Sequence, residues 1–382
     1  MDFLSVHWAN DFARASVSFI FILGVIVFVH ELGHYVVARY NDVRVEVFSI
    51  GFGREMFGWN DSSGTRWKVS ILPLGGYVKM FGDADAASTP SGELGEMPPD
   101  ERRVSFHHKR LGQRTAIILA GPLANFVLAV VILAGLFATV GQRITPAEIS
   151  MVTPGSAAEA AGMQAGDTVL RIDGREIDRF ETLQQVVREN QGLPMRFVVR
   201  RDGAEVELVV TPRLVEITDN FGNTHLFGRI GVGRSGVTFV RHDPLTAVWA
   251  AVKETAWLTG ATLQAVGQMI VGTRSADELG GPIFIAQIAG QAAETGIVMV
   301  FWFMAVLSVN LGLINLFPIP LLDGGHLLFY AFEAIRGKPL GQRAQMFGFR
   351  IGLAMVLTLM VFVTWNDLVR IRVFDFLFGL LS

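Results

Sequence analysis

From Ala15 to Ala38 the chain is apolar for the length of a bilayer crossing, and near the end of that run stand His30-Glu31-Leu32-Gly33-His34. A segment in hydrocarbon must satisfy all its backbone polar groups internally, so a run of this length folds as a helix. Two imidazoles and a carboxylate are costly there. A central Asp or Lys costs about 2.5–3.5 kcal/mol on insertion scales, which makes an intramembrane ionisable group a functional hypothesis by default. On a helix, His30 and His34 share one face with Cβ atoms about 5–6 Å apart. Two imidazoles need that spacing to share a zinc ion, with Glu31 beside them as general base.

The rest of the chain suits a membrane setting. With 51% hydrophobic and 18% charged residues and a mean hydropathy of +0.42, it is too apolar for an ordinary soluble enzyme. The net charge of −3 offers no basic surface for nucleic acid. The absence of Cys excludes disulfides and thiolate metal sites, leaving His, Asp and Glu as the strong zinc ligands. No small-residue cleavage site follows the first apolar run, so it reads as a retained helix rather than a signal peptide.

Besides Ala15–Ala38, three segments are long enough to span: Thr115–Gly141, Thr295–Leu322 and Met346–Trp365. Lys and Arg near the span ends set the orientation. Arg39, Arg44 and Arg54 follow the first span, Arg102, Arg103, Lys109, Arg110 and Arg114 precede the second, and Arg336, Lys338 and Arg343 separate the third from the fourth. Those loops belong on the cytoplasmic side, and the long segment between spans two and three faces out.

That outer segment holds a soluble module, roughly Ile144–Arg213. Pro154-Gly155-Ser156-Ala157-Ala158 opens a short helix, and Val169–Ile172 reads as a strand closed by the Asp173-Gly174 turn. Phe180, Leu183, Val186 and Val187 mark a second helix, and Asp202-Gly203 joins two strands in a hairpin. The string PGSAAEAAGMQAGDTVLRIDG resembles a PDZ domain of the bacterial, circularly permuted type, which implies an extended peptide bound by strand addition. The plain alternative is a spacer that binds nothing. Beyond it, Trp249, Val252, Ala256, Leu263, Val266 and Ile270 recur at helical spacing, as an amphipathic helix on the outer membrane face or inside the outer domain. The chain thus divides into 1–141, 142–215, 216–294 and 295–382.

A catalytic zinc site usually takes three protein ligands. Asp323 is the third candidate. Pro318 and Pro320 cannot continue a helix, so the third span breaks just before it, and broken backbone at membrane depth is tolerated only where protein or a water cavity takes up the freed groups. Spans one and three run in the same direction, so both motifs lie toward the cytoplasmic end. His326 reads as a structural neighbour of the site, and His107 and His108, among Lys and Arg, read as solvated.

HExxH in the first span, Asn315-Leu316-Phe317-Pro318-Ile319-Pro320-Leu321-Leu322-Asp323-Gly324 in a late one and a PDZ-like insert between them resemble the site-2 protease family, in its RseP-type branch of bacterial inner-membrane metalloproteases. The resemblance implies His30, His34 and Asp323 as zinc ligands and Glu31 as the catalytic carboxylate. It implies Asn315 as a holder of substrate or oxyanion, and it places Asn125, in Gly121-Pro122-Leu123-Ala124-Asn125-Phe126, in the second span, grouped with the substrate contacts and with packing or site polarity as the alternative role. Val45–Phe81 would be a membrane-reentrant β-hairpin, with Gly51-Phe52-Gly53 and Gly75-Gly76 near the substrate; a cytoplasmic hairpin unconnected with catalysis is the alternative. Many RseP-type enzymes carry two PDZ domains and this chain has one.

The expected fold is therefore a polytopic α-helical membrane protein with four transmembrane helices, a membrane-reentrant β-hairpin and an inserted extracytoplasmic α+β PDZ domain. The expected partners are the lipid bilayer, single-span membrane proteins of the anti-sigma-factor type already trimmed outside, remnant signal peptides and a peptide ligand of the PDZ-like module, with no nucleic acid. Two rival readings use the same residues. A zinc transporter also places His and Asp in spans but does not need Glu31, and an inactive scaffold would use the PDZ-like module alone.

Overall fold

The structure, a computed structural model, describes residues 3–370 apart from 86–96, 191, 219–223, 237 and 273. Residues 371–382 of the last expected segment lie outside the described residues. The chain forms two compact units, one from residues 1–136, 248–266 and 276–382 and the other from 137–247 and 267–275.

The first unit starts with helix α1 (Phe3–Tyr40), followed by the long strands β1 (Val45–Asn60) and β2 (Arg66–Met80). A short α2 (Pro99–Val104) and a 3-10 turn at Phe106–His108 lead into α3 (Leu111–Thr139). Among the described residues four helices are long and apolar enough to cross a membrane: Asn10–Tyr40 within α1, Leu111–Thr139, Ile297–Asn315 and Arg343–Arg370. They fall on the four runs expected from sequence. The third ends at Asn315 rather than Leu322, because Pro318 and Pro320 supply no N–H to prolong it.

β1 and β2 fold back on themselves. Val47–Ile50 pairs with Gly76–Lys79 on one side and with Arg66–Val69 on the other, and Phe57–Asn60 pairs with Arg66–Val69 in turn. This double use of one stretch gives a small sheet where a plain hairpin was expected. Its buried side is Val45, Phe48, Val78 and Met80, packed with Ala38, Phe106 and Ile117 from the helices. Asp61 clasps the turn to α1: its carboxylate accepts the Tyr35 hydroxyl and the Trp67 indole N–H, each at 2.9 Å, and the N–H groups of Ser63 and Thr65.

The second unit carries β3 (Gln142–Ile144), β4 (Ile149–Val152), α4 (Ala157–Ala160), β5 (Thr168–Ile172), β6 (Arg175–Glu176), α5 (Phe180–Glu189), β7 (Met195–Arg201) and β8 (Ala204–Val210). Its sheet has the order β6-β5-β7-β8, with the β7–β8 hairpin turning at Asp202-Gly203. α4, capped by Ser156, and α5 cover a core of Ile149, Ala158, Val169, Leu183, Phe197 and Val210. This is the PDZ-like order of strands and helices read from the sequence. The module continues past residue 215. β9 (Arg213–Thr218) pairs with β10 (Thr224–Arg229), β11 (Val232–Arg234) returns to β4, and β12 (Thr238–Val240) returns to β3. These returns join residues far apart in sequence, so no local pattern announces them.

Helix α6 (Pro244–Val271) follows, capped at its start by Asp243 and at its end by Gly272. In the first unit come α7 (Pro282–Thr295), α8 (Ile297–Asn315), α9 (Asp323–Arg336) and α10 (Gln342–Arg370). Residues 216–294, expected as a connector with one amphipathic helix, thus hold strands and two substantial helices. α7 packs on α1 and α8 through Ile22, Ile26, Ala289, Ala292, Val300 and Met304. The buried carboxylate of Asp367 in α10 caps α7 from outside that helix, accepting the N–H groups of Gly281, Ile283 and Phe284 at 2.9–3.1 Å. Those N–H groups have no partner within α7, so a buried anion is well placed there.

Candidate metal centre

α1 presents His30, Glu31 and His34, all buried, and the start of α9 adds Asp323. The two Nε2 atoms are 3.3 Å apart, and Asp323 Oδ2 lies 3.2 Å from the first and 3.5 Å from the second. Two residues before Asp323 the backbone of Leu321 adopts φ +101°, a region that side chains rarely occupy. Such strain is held only where the surroundings impose it, and it clusters at functional sites.

The donor set fits zinc. Zn–N and Zn–O distances of about 2.0–2.1 Å in a tetrahedron put neighbouring ligand atoms about 3.3–3.4 Å apart, and the three observed separations bracket that value. Asp323 Oδ2 is buried and has no well-directed hydrogen bond, although two nitrogens stand within 3.5 Å of it. Two imidazole nitrogens and a carboxylate oxygen facing one centre suit a cation. Among the described residues no other group of three such side chains lies close enough to share an ion.

The neighbours hold these groups in place. His34 Nδ1 lies 2.8 Å from the Ile117 carbonyl of α3. A carbonyl only accepts, so Nδ1 carries the proton and Nε2 keeps its lone pair for a metal. Gly121 of α3 makes room for this ring, since a Cβ there would fall on it. Gly76 lets β2 lie against α1, because a Cβ would come within 2.9 Å of Glu31 Cγ and 2.7 Å of the Ser49 carbonyl. The strand is thereby brought alongside the carboxylate.

The structure brings His30, Glu31, His34, Asp323, Asn315, Asn125 and Gly76 together. The Asn315 amide nitrogen is 3.4 Å from His30 Nε2, on the side of the ring that faces Asp323. Asn125, expected among the substrate contacts, is fully buried and lies 3.2 Å from His30 Nδ1, so it touches a candidate ligand. Gly51, Phe52, Gly53 and Gly75 form the bend of the sheet: both residues flanking Phe52 have positive φ, and the Phe52 ring covers Gly75 and stacks on Tyr77.

His107 is not solvated, whereas His108 is exposed as expected. His107 Nε2 meets the buried carboxylate of Asp83 at 2.9 Å, and His108 Nδ1 meets Ser105 Oγ at 3.1 Å. Basic neighbours in sequence hid this, because the acidic partner comes from the segment after β2. His326, one turn into α9, is buried beside Phe349 and lines a small cavity with Arg114, Tyr330 and Glu333.

A buried His-His-Asp cluster with a carboxylate beside it, its histidines carried by a bilayer-length apolar helix, defines a membrane metalloenzyme. Residues 18–359 match Peptidase family M50. Over 356 residues the chain is 46% identical to a Rhizobium meliloti protein named "Putative zinc metalloprotease", covering 92% of this chain and 95% of that one. It is 40% identical over 391 residues to Metalloprotease MmpA of Caulobacter vibrioides, covering 96% and 98%. Over 24% of its length it is also similar to the PDZ domain of an SdrC-like protein from Listeria innocua, at 17% identity and a TM-score of 0.19, with 94% of that domain covered. The chain belongs to peptidase family M50, the site-2 proteases, and is a zinc metalloprotease.

Proposed function

We propose that the enzyme hydrolyses a peptide bond within or near the transmembrane segment of single-span proteins that have already lost their outer domain. The observation that carries this reading is the convergence of His30, His34 and Asp323 on one point, buried among bilayer-length helices with Glu31 alongside. These three residues would hold the zinc. When bound, zinc supplies the Lewis acidity that acidifies water and polarises a peptide carbonyl.

The chain's own groups do the rest. Glu31 is the general base: its carboxylate takes a proton from the attacking water and delivers it to the leaving amide nitrogen. Its position next to His30 in α1 leaves it little freedom to drift from the reacting atoms. Asn315, half-buried on the same side of His30 as Asp323, donates an amide N–H to the developing oxyanion.

A helical substrate hides its peptide bonds, since each carbonyl is already paired. β2 offers the remedy. At Gly76 it lies against Glu31, and a strand edge there pairs with the backbone of an unwound substrate, with Gly51, Phe52, Gly53, Gly75 and Gly76 lining the approach. The sheet re-enters the membrane. In support, Phe52, Met56, Phe57, Trp59, Ile71 and Leu72 of the sheet are all exposed, an apolar surface suited to lipid.

The protein resides in a bacterial inner membrane, with the active site toward the cytoplasm and the PDZ-like module outside. Arg39, Arg44, Arg102, Arg103, Lys109, Arg110 and Arg336 at the cytoplasmic ends of the spans support that orientation. The module admits trimmed substrates or bars intact ones. Anti-sigma factors of an envelope-stress cascade and remnant signal peptides are the substrate classes that fit.

Reconstitution in lipid with a trimmed single-span substrate tests the reading. Cleavage by the wild type that is lost on chelation and lost in Glu31→Gln is expected. Undiminished cleavage by Glu31→Gln would remove the general base from the mechanism.

A further inference from the structure

We infer that Asn125 is a positioning residue for the metal centre. Its carboxamide oxygen accepts the Nδ1–H of His30 and so holds that imidazole with a bare Nε2 toward Asp323 and His34. This rests on the reading of His30, His34 and Asp323 as the zinc ligands.

The two histidines are both reached from α3, but by different groups. His34 Nδ1 meets a backbone carbonyl, which leaves its proton no choice of nitrogen. His30 Nδ1 meets the amide nitrogen of Asn125 at 3.2 Å, and because the two ends of a carboxamide are alike in shape the oxygen can take that place. The choice decides whether His30 can ligate. With the amide nitrogen toward the ring, Nδ1 must accept, and the proton of the neutral imidazole sits on Nε2. That N–H would point into the cluster, 3.3 Å from His34 Nε2 and 3.2 Å from Asp323 Oδ2, and no lone pair would remain for a metal. With the amide oxygen toward the ring, Nδ1–H donates, and His30 takes the same tautomer as His34.

Among the described residues nothing else holds the amide the wrong way round. In the orientation with nitrogen toward His30, Asn125 Oδ1 is buried without a hydrogen-bond donor. The oxygen and nitrogen ends of a carboxamide are alike in shape, so the reversal needs no repacking. The residue itself is well fixed. It is fully buried, Ser308 Oγ of α8 donates to its backbone carbonyl at 2.9 Å, and Gly312 lets α8 pack close to its Cβ. An acceptor built into a rigid helix, aimed at the outer nitrogen of a ligand, both sets the tautomer and raises the basicity of the other nitrogen.

The test is zinc affinity of the purified full-length protein, measured by competition with a chelator. Asn125→Leu has similar bulk and no acceptor. It should weaken zinc binding by about 10–100-fold, the range for losing such a partner. Asn125→Asp keeps an acceptor at the same place and should bind zinc close to the wild-type value. A purely structural role would not show this split, since a buried charge disturbs packing at least as much as Leu does. Should Asn125→Leu fail to fold, Asn125→Ala carries the same expectation. Wild-type affinity in the Leu or Ala variant overturns the inference, as does an equal loss in Leu and Asp. Failure of the wild type itself to bind zinc would instead overturn the ligand assignment of His30, His34 and Asp323.

Discussion

Gly121→Ala should silence the enzyme while leaving it folded. Gly121 faces the His34 ring across the contact of α1 and α3. A Cβ placed there would lie 2.5 Å from Cε1 and 2.8 Å from Cδ2 of that ring, whereas carbon atoms in contact settle about 3.5–4.0 Å apart. The ring must therefore move by about 1 Å, and its Nε2 moves with it. That atom now stands 3.3 Å from His30 Nε2 and 3.5 Å from Asp323 Oδ2, and metal sites tolerate about 0.2 Å in ligand distance. A misplacement of about 1 Å at a reacting centre costs on the order of 100-fold in rate. The backbone argues in the opposite direction. Replacing a helix-interior Gly by Ala favours the helix by about 0.8–1.0 kcal/mol in soluble hosts, so lost activity could not be blamed on a weakened α3. Turnover of a trimmed substrate in lipid and zinc content of the same preparation should fall together, with helicity unchanged. Wild-type turnover with full zinc occupancy in Gly121→Ala would show that the His34 ring is not confined by α3, and the argument from packing would fail.

Four further outcomes follow from named contacts. Glu31→Gln should lose about 10²–10⁴-fold in cleavage, the usual worth of a general base, yet keep its zinc; loss of the metal as well would mean that Glu31 is part of the metal-holding set. Dialysis against a chelator should abolish cleavage and added zinc should restore it, and activity that persists in metal-free protein would contradict the mechanism. Asp61→Ala removes the acceptor shared by Tyr35 and Trp67, with hydrogen bonds to a charged group worth about 1.5–3 kcal/mol each. Faster hydrogen exchange over residues 45–80 and slower cleavage are expected, and unchanged exchange would show that the clasp does not hold the sheet. In the PDZ-like module, burial pushes the Asp167 carboxyl up, but the Arg201 guanidinium and the Gln164 N–H outweigh it and hold it below the usual range. A depressed folded value means that its stabilisation is complete above the ordinary carboxylate pKa of about 3.9 and is lost as pH falls through the folded value. Exchange protection of the module should therefore drop on acidification below about pH 4. Arg201→Met should weaken it already at pH 7, by about 3 kcal/mol, since it leaves the buried Asp167 carboxylate without its cation. Equal protection of the two proteins at pH 7 would count against the pair.

The sequence alone determined the features that are local in the chain. Lipid obliges a long apolar run to be a helix, and the helical period then places His30 and His34 on one face with Glu31 beside them. Pro318 and Pro320 end α8 wherever it lies, and Asp202-Gly203 turns a hairpin in any module. Only the tertiary structure decided which distant groups meet. Whether Asp323 reaches the histidines depends on how α8, the strained Leu321 and α9 are packed against α1. The same packing set Asn125 beside His30, gave His107 the buried Asp83, and set Asp367 of α10 on the open end of α7. It also let one stretch, Val47–Ile50, pair on both its edges. A period of 3.6 residues says which side chains share a face, but the partner of a buried polar group is chosen by the neighbour that crosses it, and that crossing is fixed by the interlocking of whole helices.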